Sequence, residues 1–304
     1  AVTKAKRFFR KYGVAYLELL PFTVLFLIFT VLPVGIAVVL SFTNYNMFQM
    51  IDFVGINNYK GLFLGDEIFM KALGNTLLFA VIVGPAGYFL SFFAAWVLNM
   101  MKFRNGFALM FYAPSIISGV AMSVVWSYIF SPDSYGLLNN ALLSIGIIDD
   151  PVLWTQDPNY ILPVIILVSV WMSMGTGFLV FLAGLQNVNK EYYEAAAIDG
   201  ISNKYQELKY ITLPSMKPQL LFGAINAVTG AFGVYEVSVT LAGFPSPNYA
   251  GHTIVTYLYD YAFVRFQMGY ACAVATVLFI MTFFIGRVVM NALTEKEEKA
   301  AKKR

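Results

Sequence analysis

The chain has 304 residues, of which 59% are hydrophobic and 12% charged, with a formal net charge of +3 and a mean hydropathy of +0.68. A soluble globular domain carries roughly 25% charged residues, so this composition excludes one and points to an integral membrane protein. It also leaves no nucleic-acid partner to be expected.

A helix needs roughly 20 apolar residues to cross about 30 Å of hydrocarbon. Six runs qualify, near 17–40, 75–98, 107–130, 161–185, 219–242 and 268–292. They are too long and too uniformly apolar for barrel strands, which alternate over about ten residues. The predicted fold is therefore an all-α integral membrane protein of six transmembrane helices. No linker, low-complexity stretch or internal repeat divides it, so a single transmembrane domain over 1–304 is expected.

A basic segment with Lys4, Lys6, Arg7, Arg10 and Lys11 precedes the first run. Such a start also opens secretory signals, but the apolar run is too long and no small-residue cleavage site follows, so it reads as a span. Of the chain's 20 Lys and Arg, three (Lys60, Lys71 and Arg265) fall in the first, third and fifth loops and the other seventeen on the opposite side. Cytoplasmic loops collect Lys and Arg, which predicts cytoplasmic N and C termini. The outer loops, about 43–73, 131–160 and 243–267, carry turn signals such as SPDSYG and GFPSPNYAG. Pro33, Pro85, Pro114 and Pro163 fall within the predicted spans and predict kinks.

The fourth loop, 186–218, is polar and basic. Its NKEYYEAAAID stretch combines helix formers with an acidic first turn, and Gly200 is placed to end the helix in the left-handed conformation. NKYQELKYI then extends to Pro214. Ala195, Ala196 and Ala197 let another surface approach the backbone, flanked by Tyr192, Tyr193 and Ile198 as apolar contacts. This is the anatomy of a docking helix; a helix resting on lipid headgroups is the alternative.

On the fourth run Ser169, Ser173 and Thr176 share one helical face beside Trp171, and on the fifth Asn226, Thr229, Gly230 and Gly233 do the same, followed by Tyr235 and Glu236. Polar and aromatic groups of this kind bind sugar hydroxyls and rings. Small residues at these spacings also serve helix packing. Glu236 is the one acid placed deep in a predicted span, where a carboxylate costs on the order of 3 kcal/mol and requires a partner. His252 reads as a packing residue of the outer fifth loop, and the lone Cys272 excludes an intrachain disulfide. Neither H-E-x-x-H, G-x-S-x-G nor a G-x-x-x-x-G-K-[ST] phosphate loop occurs, so the chain offers no metal site, no catalytic residue and no ATP cradle of its own.

Glu194-Ala195-Ala196, Gly200, Ile211 and Leu213-Pro214 reproduce, with every spacing kept, the signature of the membrane-spanning permease subunits of binding-protein-dependent ABC importers, which the chain resembles. LPVGIAVVLSFTNYN, FVGINNYKGLF, WSYIFSPDSYGLLNNAL and LAGFPSPNYAGHTIVTYLYDYAF are similar to the carbohydrate branch, which includes the larger maltose permease subunit and the multiple-sugar and glycerol-phosphate permeases. Phe244 stands where that branch usually has Gly.

The resemblance implies a multi-pass permease of a bacterial or archaeal cytoplasmic membrane with the type I importer fold. It would pair with a second homologous permease, two ATPase subunits that bind ATP and Mg, and an extracytoplasmic sugar-binding protein. No cofactor would be bound by this chain itself. Tyr193, Glu194, Ala195, Ala196, Asp199, Gly200, Ile211, Leu213 and Pro214 would couple it to the ATPase. The fourth- and fifth-run faces fall where the maltose relative lines its sugar site, so carbohydrate, an oligosaccharide in particular, is the expected cargo. There the relative has asparagines, a tyrosine and a phenylalanine, whereas Ser, Thr and Gly dominate here. A self-sufficient secondary sugar carrier is the competing expectation.

Overall fold

The computed structural model describes residues 2–101 and 104–301. Lys102, Lys302, Lys303 and Arg304 lie outside the described residues, as do the side chains of Lys4, Lys6, Arg7, Arg10, Lys11, Arg104, Pro114, Lys296 and Lys299. Among the described residues every regular element is a helix, and one isolated bridge pairs Thr43 with Phe53.

Helix α1 runs through Val2–Phe26, a π-helical turn Leu27–Val31 and Leu32–Leu40. The turn has a local cause. Pro33 has no N–H and its ring collides with the carbonyl four residues back. The preceding Leu32 instead donates to Leu27 O, five residues back, and the extra residue per turn relieves the clash. The same device recurs before Pro214, where Leu213 donates to Leu208 O.

Helices α2 (Asn57–Leu64) and α3 (Glu67–Asn99) follow. Asp66 caps α3 by accepting from Phe69 N at 2.9 Å, which satisfies one of the orphan donors of the first turn. The run expected as a span over 107–130 folds as two helices, α4 (Arg104–Ile116) and α5 (Gly119–Ile129). The break falls at Ser118, which leaves the helical conformation and uses its hydroxyl to accept from Ala121 N at 3.3 Å. Ser and Gly side by side favour such an interruption, since one caps and the other is a poor helix former.

Helix α6 (Leu137–Ser144) is short. Helix α7 (Pro158–Gln186) is long and unbroken, capped by Asp157, which accepts from Asn159 N at 2.8 Å. Then come α8 (Lys190–Ile198), α9 (Lys204–Glu207, continued by a π-helical turn Leu208–Thr212 and Leu213–Ser215), α10 (Lys217–Phe232) and α11 (Glu236–Ala242). The fifth predicted run is thus interrupted at 233–235. Helix α12 (Ile254–Tyr259, with a π-helical turn Asp260–Val264) and α13 (Met268–Ala301) complete the chain. Five stretches are long and apolar enough to cross a membrane: Tyr12–Leu40, Glu67–Asn99, Pro158–Gln186, Lys217–Ala242 and Met268–Thr294.

The chain divides into two compact units. The first joins 1–65 with 258–277. In it Asn58 donates to the carbonyls of Ser41 and Thr43 at 2.8 and 2.9 Å, and Gly269 N donates to Tyr45 O at 2.7 Å. A Cβ on Gly269 would lie 2.1 Å from Thr43 O, so only glycine allows this approach.

The second unit, 66–257 with 278–304, holds the main core. Phe79, Val83, Ile161, Ile165, Val168, Val237 and Leu241 form one buried cluster. Phe178, Phe181, Leu182, Leu185 and Met216 form another, with Tyr88 and Phe92 packed against it. Small residues bring α3, α7 and α10 this close. A Cβ on Gly223 would fall 2.4 Å from the Phe181 ring, and one on Gly87 would fall 2.1 Å from Ser173 Oγ.

The loop of this unit between α5 and α7 folds around Asn139, which is fully buried. Its amide donates to the carbonyls of Ser131, Asp133 and Val152, and its oxygen accepts from Val152 N and Trp154 Nε1. Buried amides persist when satisfied in this way. His252 is likewise buried, at 2% exposure. Its ring stacks on Phe244, and Nδ1 bonds Ser246 Oγ at 3.0 Å. It is a packing residue, as expected, inside the folded loop.

Candidate coupling segment and substrate cavity

Asn189 opens α8 by accepting from Glu191 N at 3.1 Å, and its amide donates to the Glu191 carboxylate at the same distance. The helix ends at Gly200, whose φ is +90°. Ile201 N donates to Ala196 O at 2.9 Å and Gly200 N to Ala197 O at 3.3 Å. This crossed pair is the Schellman arrangement, and a left-handed residue at its centre makes it possible. Asn203 then caps α9 through Tyr205 N at 2.8 Å, and Lys204 pairs with Glu207 at 2.7 Å.

Two contacts hold α8 to its surroundings. Ala196 is buried, and the Tyr193 hydroxyl meets Thr212 Oγ1 at 2.9 Å. Ile211 is buried as well, Leu213 half-buried and Pro214 exposed. Tyr192, Glu194, Ala195, Asp199 and Gly200 remain exposed, and Ile198 reaches 88% exposure. Of the three apolar residues expected to face outward, Tyr193 turns inward instead, because its hydroxyl finds Thr212.

In the membrane-spanning part of the same unit a cavity of about 280 Å³ lies among α3, α7 and α10. Ser169, Ser173, Thr176, Asn226 and Gly230 line it together. Ser169 is 7% exposed and its Oγ has no hydrogen-bond partner. A buried hydroxyl without a partner costs about 1–3 kcal/mol, so the cavity offers a ready polar contact. No charged side chain is among its lining.

The model of the "Binding-protein-dependent transport system inner membrane component" family matches residues 87–296. The chain belongs to this family. It is 36% identical over 292 residues to the "Probable ABC transporter permease protein YesP" of Bacillus subtilis, covering 95% of this chain and 93% of that protein. It is 33% identical to the arabinooligosaccharides transport system permease protein AraP of the same organism, covering 93% and 90%. Its fold matches a solved structure, a bacterial alginate ABC transporter in complex with alginate pentasaccharide-bound periplasmic protein. The TM-score there is 0.78 at 24% identity, over 95% of this chain and 96% of that one. The chain is thus a multi-pass membrane permease component of an ABC importer, with transport rather than catalysis as its task, and the competing secondary-carrier expectation is set aside.

The other five residues singled out on these two runs lie away from the permease's cavity wall. Trp171 packs edge-on against Trp126, with ring centroids 5.4 Å apart. Thr229 folds its hydroxyl onto Ile225 O at 2.9 Å. Gly233 ends α10, and Tyr235 stands in the break before α11. Glu236 is exposed in the first turn of α11, and the position a Cβ on Gly119 would take is 2.1 Å from its Oε2. The carboxylate therefore lies beside the first turn of α5. Helix N-termini carry partial positive charge, which supplies the compensation that a buried acid in a continuous span would lack.

The cavity also takes in residues that sequence reading passed over. Gly84, Gly87, Tyr88 and Ser91 on α3 form its third side, and Phe181 of α7 closes part of it. The 84, 87, 88, 91 spacing is a single helical face. That face was visible in the sequence, but nothing there tied it to Ser169 or Asn226.

Proposed function

We propose that this chain carries a sugar across the membrane as one of two related permeases, driven by two ATPase subunits and supplied by an extracytoplasmic binding protein. The observation that carries the coupling half is the Glu194-Ala195-Ala196 helix. It is held from behind by Ala196 and Tyr193, presents Tyr192, Glu194, Ala195 and Ile198 outward, and closes at Gly200. A short helix with an exposed apolar and acidic face fits a groove on a soluble partner. The ATPases hold ATP and Mg, and this chain binds no cofactor.

In this reading the chain is one transmembrane domain of six spans with both termini cytoplasmic. The third span is the interrupted α4–α5 pair, and 186–218 faces the cytoplasm. The cargo passes between the two permeases, with Ser169, Ser173, Thr176, Asn226 and Gly230 on this chain's side of the path. Trp171, Thr229, Gly233, Tyr235 and Glu236 act around it. Closure of the ATPase pair moves α8 and rocks the spans between inward-facing and outward-facing states. The arabinooligosaccharide relative supports an oligosaccharide, and the hydroxyl and amide lining of the cavity suits one.

The test is the ATPase activity of the reconstituted complex, with its sister permease, ATPases and binding protein, across a panel of sugars. Stimulation by one loaded binding protein, lost on Glu194→Lys, is the expected result. Activity that survives Glu194→Lys unchanged overturns the coupling assignment. A complex stimulated only by non-sugar solutes overturns the cargo.

A further inference from the structure

The segment after α1 ends in an exposed apolar tip. Phe48 is 79% exposed, Met50 89% and Phe53 79%, with Met47 and Ile51 exposed beside them. The tip is braced from within. Asp52 N donates to Asn44 Oδ1 at 2.8 Å, Asn44 N to Asp52 O at 3.1 Å, and Asn46 Oδ1 accepts from Phe48 N and Gln49 N at 3.2 and 2.9 Å. These bonds occupy the local polar groups and leave the large side chains pointing away.

Its depth is set at both ends by membrane-spanning helices of the same unit. Ser41, directly after α1, donates to Val38 O and bonds the Tyr59 hydroxyl. Tyr45 O accepts from Gly269 N in the first turn of α13. Phe48 also packs edge-on against Phe266, two residues before α13 begins, with centroids 5.9 Å apart. The tip is therefore pinned where two spans leave the hydrocarbon.

From this placement we infer that residues 47–53 insert into the interfacial layer of the bilayer at that end of α1. Phospholipid, rather than a protein partner, is their occupant. Charge supports the choice. The only ionisable side chain from Ser41 to Ile56 besides Tyr45 is Asp52, and Asn44 donates to its carboxylate at 3.3 Å. A soluble protein docking here would be expected to meet a polar rim, whereas aromatic and apolar side chains at the end of a span suit the headgroup and acyl boundary. The surface is also continuous with the exposed apolar face of α1 at Val34, Ile36 and Val39.

The assembled importer in nanodiscs tests this. In a Cys272→Ala background, Phe48→Cys and Met50→Cys carry an environment-sensitive fluorophore, with Asp149→Cys as the exposed reference. Brominated lipids are expected to quench positions 48 and 50 several-fold more than 149, with or without the binding protein. Quenching equal to the reference overturns the inference, as does burial that occurs only on adding the binding protein. The latter result would identify a protein-docking tip. The wild-type chain gives an independent reading: photoreactive phospholipid is expected to label 46–53 together with α1. Label on α1 that stops at Leu40 overturns the inference even if the cysteine variants fail to assemble.

Discussion

The coupling segment and the cavity belong to the same compact unit but are built in opposite ways. Every feature of 189–207 arises within a few residues: the Asn189 cap, the acidic first turn, the crossed bonds around Gly200 and the Asn203 cap. The cavity has no such local origin. Its walls come from α3, α7 and α10, over a hundred residues apart in sequence, and exist because glycines and serines let those helices approach. Locally encoded structure tolerates exposure and can serve as a handle. A space between helices depends on every wall being the right size.

The largest effect separating the two regions is expected from Glu194→Lys. It reverses a charge on the exposed face of α8 without touching a buried contact, so uptake by the assembled importer falls nearly to background while the amount of chain in the membrane stays normal. Transport at an ordinary rate in that variant would break the assignment of this helix as the coupling element.

Gly223→Ala comes next and acts on the other region. The added methyl would overlap the Phe181 ring, and overpacking of this kind costs about 1–3 kcal/mol. The expected readout is a lower thermal midpoint of the purified complex, with sugar affinity lost alongside it. An unchanged midpoint would mean that α7 and α10 can separate without loss.

Gly200→Ala has open space around it, so its cost is confined to the backbone. A side chain at φ +90° is strained by roughly 1–2 kcal/mol. Hydrogen exchange should rise in 195–203 and remain as before in α3 and α7, which would show how independent the segment is. If protection drops throughout the core, the two regions are coupled more tightly than their construction suggests.

Ser169→Ala is the smallest and the most discriminating. It deletes a hydroxyl that is buried without a partner, so stability should hold or rise by a few tenths of a kcal/mol. Half-saturation of transport should move to higher sugar concentration. A stability loss would show that the hydroxyl serves packing, and an unchanged half-saturation would remove it from the cargo path.

Much of the molecule was legible before any coordinates. The long apolar runs, the helix ending at Gly200 and the second helix running to Pro214 follow from hydropathy, capping preference and the spacing of Glu194, Gly200 and Pro214. The interruptions were less legible. Ser118-Gly119 and Gly233-Val234 sit inside runs whose hydropathy reads as continuous, and whether a chain breaks there depends on what its neighbours can satisfy. Glu236 shows the consequence: an acid that looked buried in a span is exposed beside the start of α5, because α10 stops three residues before it.

What the sequence determined by itself is the set of properties that act over one or two helical turns: membrane insertion, helix starts and stops, and the family signature in 194–214. Tertiary structure alone decided which small residues meet. Gly87 faces Ser173 and Gly223 faces Phe181 only once α3, α7 and α10 are packed. Asn226 and Ser169 share a cavity while Thr229 and Trp171 do not. Helical periodicity gives each residue a face, but the partner of that face is a property of the packed helices and is not encoded in either segment alone.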